Sequence, residues 1–290
     1  MLSAMAVGMV ACGGNTAAAG PVHGRALRVV TTTTQLSDFA RVIGGADAAV
    51  YDVVRANVDP HDYEPTPADV EALRRADLIV ENGVGLEAWL DRTIESSGSK
   101  ARVVDASTGV ALRKGDPHIW HDPTRAKVMV TNIAGAMGDV DPDHAGEYAA
   151  ALTSYGAQLD ALDVEIRGQI APLTDKKLVT NHDAFGYYVE RYGMQFVGSV
   201  IPSFDSQAEL SSRQLSALVS KIKAQGVKAV FSESSLPPKT AETVAAEAGV
   251  KVVSGADALY GDTLGPPGSD ADTYLKMMRH NTRTIVAALR

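Results

Sequence analysis

The sequence predicts an α/β fold of two lobes, each with a central, mostly parallel four-stranded sheet flanked by helices, joined by one long rigid linker helix. Three observations carry that prediction. The chain has 290 residues and is 45% hydrophobic, too apolar for disorder and long enough for one large or two modest domains. Short β-branched runs alternate with helical patterns in both halves, as βαβ units of a parallel sheet require. Between the halves, one apolar stripe at helical spacing extends over residues 142–170.

In the first half the expected strands are 27–31, 50–54, 78–81 and 103–105. The helices between them are 36–43, 67–76 and 86–96, the first with Leu36, Phe39, Ala40 and Ile43 on one face. Pro67 suits a first-turn position with Thr66 as its cap. In the second half, strands are expected at 178–180, 196–200, 229–232 and 252–254, and helices at 185–192, 212–224, 238–248 and 273–289. The connecting stripe runs Tyr148, Leu152, Tyr155, Leu159, Leu162, Ile166, Ile170, in steps of three and four. Asp141 or Asp143 can cap this helix and Pro172 stops it. At 1.5 Å per residue it would be about 42 Å long, enough to run beside both lobes. The organisation is therefore a signal and tether (1–24), an N-terminal lobe (25–140), the linker helix (141–172) and a C-terminal lobe (173–290).

Residues 2–11, LSAMAVGMVA, are uncharged and mostly apolar. They are too few for a membrane span, which needs about 20 residues, but suit the apolar region of an export signal, about 7–15. Met9-Val10-Ala11-Cys12 resembles a bacterial lipoprotein cleavage box, whose cysteine becomes the lipid-bearing N-terminus, although no Lys or Arg precedes Arg25. The expectation is an exported bacterial protein, anchored to the membrane by a lipid on Cys12 and facing the periplasm or cell surface. Residues 15–24 would be its flexible tether. Cys12 is the single cysteine, so a metal site further along must use His, Asp and Glu, which disfavours Cu(I) and iron–sulfur chemistry. With 27 Lys+Arg against 35 Asp+Glu the net charge is −8, which argues against a nucleic-acid partner.

Of seven histidines, His23 falls in the tether, His144 in the first turn of the linker helix and His280 in the last helix. The others follow predicted strands, where the sites of α/β sheets collect. His61 lies in VDPHDYEPTPAD, His118 and His121 in DPHIWHDP, His182 in LVTNHDAFGYY, and Asp262 in ALYGDTLG. These gaps are far too wide for a zinc finger or an H-E-x-x-H enzyme. Ligands drawn from four loops of two lobes imply a site in the cleft between them.

PHDYEPTPADVEAL, ADLIVENGVGLEAWLD, DPHIWHDP, HDAFGYYVERYG and ALYGDTLG, in that order, resemble the zinc/manganese solute-binding lipoproteins of ABC importers, the cluster A-I or TroA-like family. The resemblance runs from about Leu27 to the C-terminus. It implies a metal ion held between two lobes by His61, His118, His182 and Asp262, delivered by a monomer to a membrane permease and its ATPase. His121 departs from the family pattern, which has an apolar residue there. It is an auxiliary-ligand candidate, with a cleft-edge histidine the plainer reading. The short segment 111–117 lacks the long His-rich loop of many zinc-importing members.

Three imidazoles and one carboxylate suit tetrahedral Zn²⁺, whereas Mn²⁺ prefers more oxygen, so Zn²⁺ is the expected cargo and Mn²⁺ the alternative. Metal-bound imidazoles usually donate their second N–H to a carboxylate or carbonyl. Asp62, Glu64, Asp122 and Asp183 are near enough in sequence to serve, and Asp122 and Asp183 equally suit helix caps. Glu233, after a strand in VFSESS, is read as a hydrogen-bonding partner rather than a ligand. A secreted zinc hydrolase is the competing class, but catalytic zinc keeps an open position for water, which Asp262 would fill. No enzyme activity is expected.

Overall fold

The computed structural model describes residues 20–208 and 211–290, so Cys12 and the export-signal segment lie outside the described residues. Strands β1 (Leu27–Thr31), β2 (Ala48–Asp52), β3 (Leu78–Glu81) and β4 (Arg102–Asp105) form one parallel sheet in the order β2-β1-β3-β4. Its crossover helices are α1 (Thr34–Gly44), α2 (Pro67–Arg75) and α3 (Leu90–Ser97). α2 starts as its sequence dictates: Thr66 and Asp69 form a reciprocal capping box and Pro67 opens the helix.

Helix α4 (Pro123–Val140) is the longest element not assigned from sequence. Its start is nonetheless encoded, because the Asp122 side chain accepts the Thr124 N–H and Pro123 is the first helical residue. α4 packs along α5 (Ala145–Ile170), the linker helix, which at 1.5 Å per residue is about 39 Å long. The expected cap at Asp141 or Asp143 is corrected. A 3-10 turn, Pro142–His144, precedes α5, and Asp141 instead closes α4. The Asp141 carboxylate is already engaged, accepting the Tyr148 hydroxyl at 2.7 Å beside His144 Nδ1 at 2.9 Å. The predicted stripe is buried at Tyr148, Tyr155, Leu159, Leu162, Ile166 and Ile170, with Leu152 packed at its edge.

Beyond α5 come β5 (Lys177–His182), α6 (Gly186–Tyr192), β6 (Gln195–Ile201), α7 (Ser212–Gln225), β7 (Ala229–Phe231), α8 (Lys239–Ala248), β8 (Lys251–Val253) and α9 (Tyr274–Leu289). All pairings are parallel, but the expected second four-stranded sheet is resolved as two hydrogen-bonded pairs, β5–β6 and β7–β8. β5 lies beside β7 without a continuous ladder. β7 has three residues, and the amide that ends β5, that of His182, turns to the Glu233 side chain.

The main core is shared by the two halves. Phe39 of α1, Tyr155 and Leu159 of α5, Phe185, Tyr188 of α6 and Tyr274 of α9 belong to one buried cluster, with the Phe39 and Tyr274 rings edge-on at 4.9 Å. Smaller clusters lie beneath α2 and α3 and beneath α7 and α8. The linker helix is thus part of the core rather than a free hinge.

Candidate metal centre

Each candidate ligand is set by a different local device. His61 sits in the loop after β2. Its amide donates to Asp59 Oδ1 at 2.9 Å, and the carbonyl of Pro60 accepts Trp89 Nε1 at 3.2 Å. His118 opens a 3-10 turn, Ile119–His121. Asp116 Oδ1 accepts its amide at 3.1 Å and faces its Nδ1 at 2.9 Å, while Asn82 Nδ2 donates to the Pro117 carbonyl at 2.9 Å. His182 ends β5, where Glu233 accepts its amide through Oε1 at 2.8 Å and faces its Nδ1 through Oε2 at 2.8 Å. Asp262 lies in the loop before α9, its carbonyl accepting Gln35 Nε2 at 3.0 Å. The neighbouring Gly261 carbonyl takes Trp120 Nε1 at 3.0 Å and His121 Nε2 at 2.9 Å.

These devices bring four donor atoms to one point. His118 Nε2 is 3.3 Å from the Nε2 of both His61 and His182. Asp262 Oδ1 lies 3.2, 3.3 and 3.8 Å from the Nε2 atoms of His182, His118 and His61. Four donors about 2.05 Å from a central tetrahedral ion stand about 3.4 Å apart, so the observed spacings match such a cage. The orientations are equally telling. Asp116 takes the Nδ1–H of His118, which leaves the lone pair of its Nε2 facing inward, while Glu233 Oε2 stands 2.8 Å from His182 Nδ1 outside hydrogen-bond geometry. Asp262 Oδ1 is buried with no hydrogen-bond donor. A buried set of converging lone pairs is costly unless a cation satisfies it.

The electrostatics agree. Burial opposes charge on His118 and His182, yet Asp116 and Asp262 hold the first above the ordinary histidine value. Asp262 and Glu233 hold the second well above it. Burial alone would raise the Asp262 carboxyl; His182 and His118 hold it well below the usual carboxylate range. Each imidazole that releases its proton leaves a position a metal ion can take.

Other candidates fall elsewhere. His121 is not at the cleft edge but fully buried, stacked on Phe185 with ring centroids 4.3 Å apart. Its Nε2 is committed to Gly261, and burial lowers its pKa to about 3. It is absent from the only cluster of three or more potential ligands among the described residues, which is His61, His118, His182 and Asp262. Asp62 and Glu64 are exposed. Asp122 caps α4 through the Thr124 N–H and hydroxyl. Asp183 is half-buried; its amide donates to the Ser203 carbonyl, and Phe185, not Asp183, is the N-cap position of α6. Glu233, read from sequence as a hydrogen-bonding partner, accepts the His182 amide through Oε1. Asp116 was missed by sequence reasoning, which searched the residues following each ligand, although the Asp-Pro-His triplet carried the signal.

The family description "ZnuA: Zinc-uptake complex component A periplasmic" matches residues 29–288. The manganese-binding lipoprotein MntA of Halalkalibacterium halodurans is 33% identical over 92% of this chain and 89% of its own length. The iron-binding protein YfeA of Yersinia pestis is 31% identical over 89% of this chain and 85% of its own. The solved structure of the periplasmic zinc-binding protein TroA from Treponema pallidum superposes with a TM-score of 0.85 at 31% identity, covering 92% of this chain and 99% of that one.

Proposed function

The chain belongs to the ZnuA family of periplasmic metal-uptake components, and from that premise we propose that it captures Zn²⁺ outside the cytoplasm through His61, His118, His182 and Asp262. It is the substrate-binding component of an ABC-type metal importer and not an enzyme. Its partners are accordingly a permease and its ATPase. The observation that carries the zinc reading is the donor cage: three imidazoles and one carboxylate at near-tetrahedral spacing, a set that suits Zn²⁺ better than the harder Mn²⁺. We further take residues 25–140 and 173–290 as the two lobes, 141–172 as their linker, and Cys12 as the site of a lipid anchor on a monomeric protein. Among the described residues, no helix is long and apolar enough to cross a membrane.

The test is competition between Zn²⁺ and Mn²⁺ for the metal-stripped protein, with elemental analysis of what stays bound. One equivalent of zinc that excess manganese cannot displace supports the zinc receptor. Exchangeable manganese alongside poorly released zinc would make manganese the cargo, in line with the relatives named for it. Uptake of neither ion would refute the site.

A further inference from the structure

The four ligands are not equally secured, and the difference gives the site a direction. Asp262 belongs to a segment stapled to the opposite half of the molecule. Gln35 holds its carbonyl, Trp120 and His121 hold that of Gly261, and Thr34 Oγ1 accepts the Leu264 amide at 2.8 Å. His118 and His182 each have a buried carboxylate behind Nδ1. His61 has no such carboxylate among the described residues. It is also the one ligand with any side-chain exposure, 7% against 0% for the other three. Its loop carries no regular structure between β2 and α2, and it includes Asn57 in the left-handed region at φ 62°.

Besides the Asn57 amide, which donates to Thr263 Oγ1 at 3.1 Å, what ties this loop to the other half is Asp59. Its Oδ1 accepts the His61 amide, while its Oδ2 accepts the Ser206 hydroxyl and, at 3.1 Å, the Gln207 side-chain amide. Ser206 and Gln207 follow β6 in the other half of the molecule, and Phe204 of the same loop lies over His118 with ring centroids 6.4 Å apart. One carboxylate therefore positions a ligand with one oxygen and ties the two halves with the other.

Building on the metal-receptor reading above, we propose that the ion enters and leaves past His61, and that Asp59, clasped by Ser206 and Gln207, is the latch on that route. Opening it costs two hydrogen bonds to one carboxylate and the bond from the Asn57 amide to Thr263 Oγ1, 3.1 Å. Opening on the Asp262 side would break the larger set to Gln35, Thr34, Trp120 and His121. Asp59 is a positioning residue: it touches no metal and acts through His61.

The experiment compares the parent protein with Ser206→Ala/Gln207→Ala and with Asp59→Asn, each loaded with Zn²⁺ or Co²⁺. Release to excess chelator and uptake by the stripped protein are followed by stopped flow. The double variant leaves the Asp59–His61 contact in place, so the Co²⁺ absorption spectrum and the melting of the metal-free form should match the parent. Release should quicken about tenfold or more, because hydrogen bonds to a charged group are lost. Uptake should quicken as well, so affinity changes less than the release rate. Asp59→Asn, which keeps an acceptor for the His61 amide, should fall between. Unchanged release in the double variant, or faster release from Gln35→Ala than from it, overturns the latch while the receptor stands. A parent that takes up neither ion overturns the receptor reading and the latch together.

Discussion

Replacing Gly261 by alanine should weaken metal binding without touching a ligand. A Cβ at this position would lie 2.0 Å from Glu233 Oε2, 3.1 Å from Glu233 Cδ and 3.4 Å from His182 Cε1. The backbone at Gly261 is not in the left-handed region, so the cost is steric alone. Since non-bonded heavy atoms settle at about 3.5 Å, the carboxylate must retreat by more than about 1 Å. It would leave the 2.8 Å contact with His182 Nδ1 and free the imidazole to turn. Losing such a partner typically costs about 10–100-fold in metal affinity, or about 1.4–2.7 kcal/mol. Competition against a chromophoric chelator would measure the loss, with thermal melting of the metal-free form as the check on folding. If the effect passes through Glu233, adding Gly261→Ala to Glu233→Ala should cost almost nothing more. Parent-like affinity in the single variant, or a full additive loss in the double, would refute this reasoning.

Acidification should weaken binding from above pH 6.5, because His118 and His182 hold their protons above the ordinary histidine value and those protons compete with the ion; titrations from pH 8 to 5 would show it, and a flat affinity would contradict it. His121→Ala should leave one equivalent of metal bound but lower unfolding free energy by about 2–4 kcal/mol, through a buried cavity and the loss of one of the two donors to the Gly261 carbonyl, as denaturant titration would report. Burial raises the Asp38 carboxyl to about 6, above its unfolded value of about 3.9. Its stabilising contribution is therefore complete below about pH 4 and lost as pH rises through about 6. Asp38→Asn, which keeps an acceptor for the Tyr274 amide, should be more stable than the parent at pH 8 and lose that advantage by pH 4 in melting curves.

Local pattern made the elements legible and tertiary contact hid what supports them. The stripe from Tyr148 to Ile170 announced the linker helix because helical periodicity is a property of neighbours in sequence. Strand ends, followed by His61, His118, His182 and Asp262, marked in the same way the four side chains that the fold brings together. The length of β7 and the split of the second sheet were not legible, since whether β5 and β7 share a ladder depends on packing across residues 182 and 233. Nor were Gln35 and Asn82, whose hydrogen bonds span 227 and 35 residues. His121 misled because a histidine three residues after a ligand suggests the cleft, whereas the short 3-10 turn drives it inward onto Phe185.

The charge around the cage gives the strongest reason to expect a doubly charged cargo. Three buried carboxylates, Asp116, Glu233 and Asp262, surround three imidazoles, so with the imidazoles neutral the cluster carries three negative charges. Arg113 Nε, 3.2 Å from Asp116 Oδ2, offsets part of this while its Nη1 pairs with Glu190 at 2.9 Å. Negative charge remains in excess, in an interior where unbalanced charge is expensive. A dication at the centre of the Nε2 and Oδ1 atoms offsets more of it than a single proton could. Without the ion, protons must supply that charge, which is why His182 holds its proton so far above the ordinary range. Metal and proton compete for the same donor atoms. A monovalent ion would offset half as much charge, so the preference for a dication precedes any choice among zinc, manganese and iron.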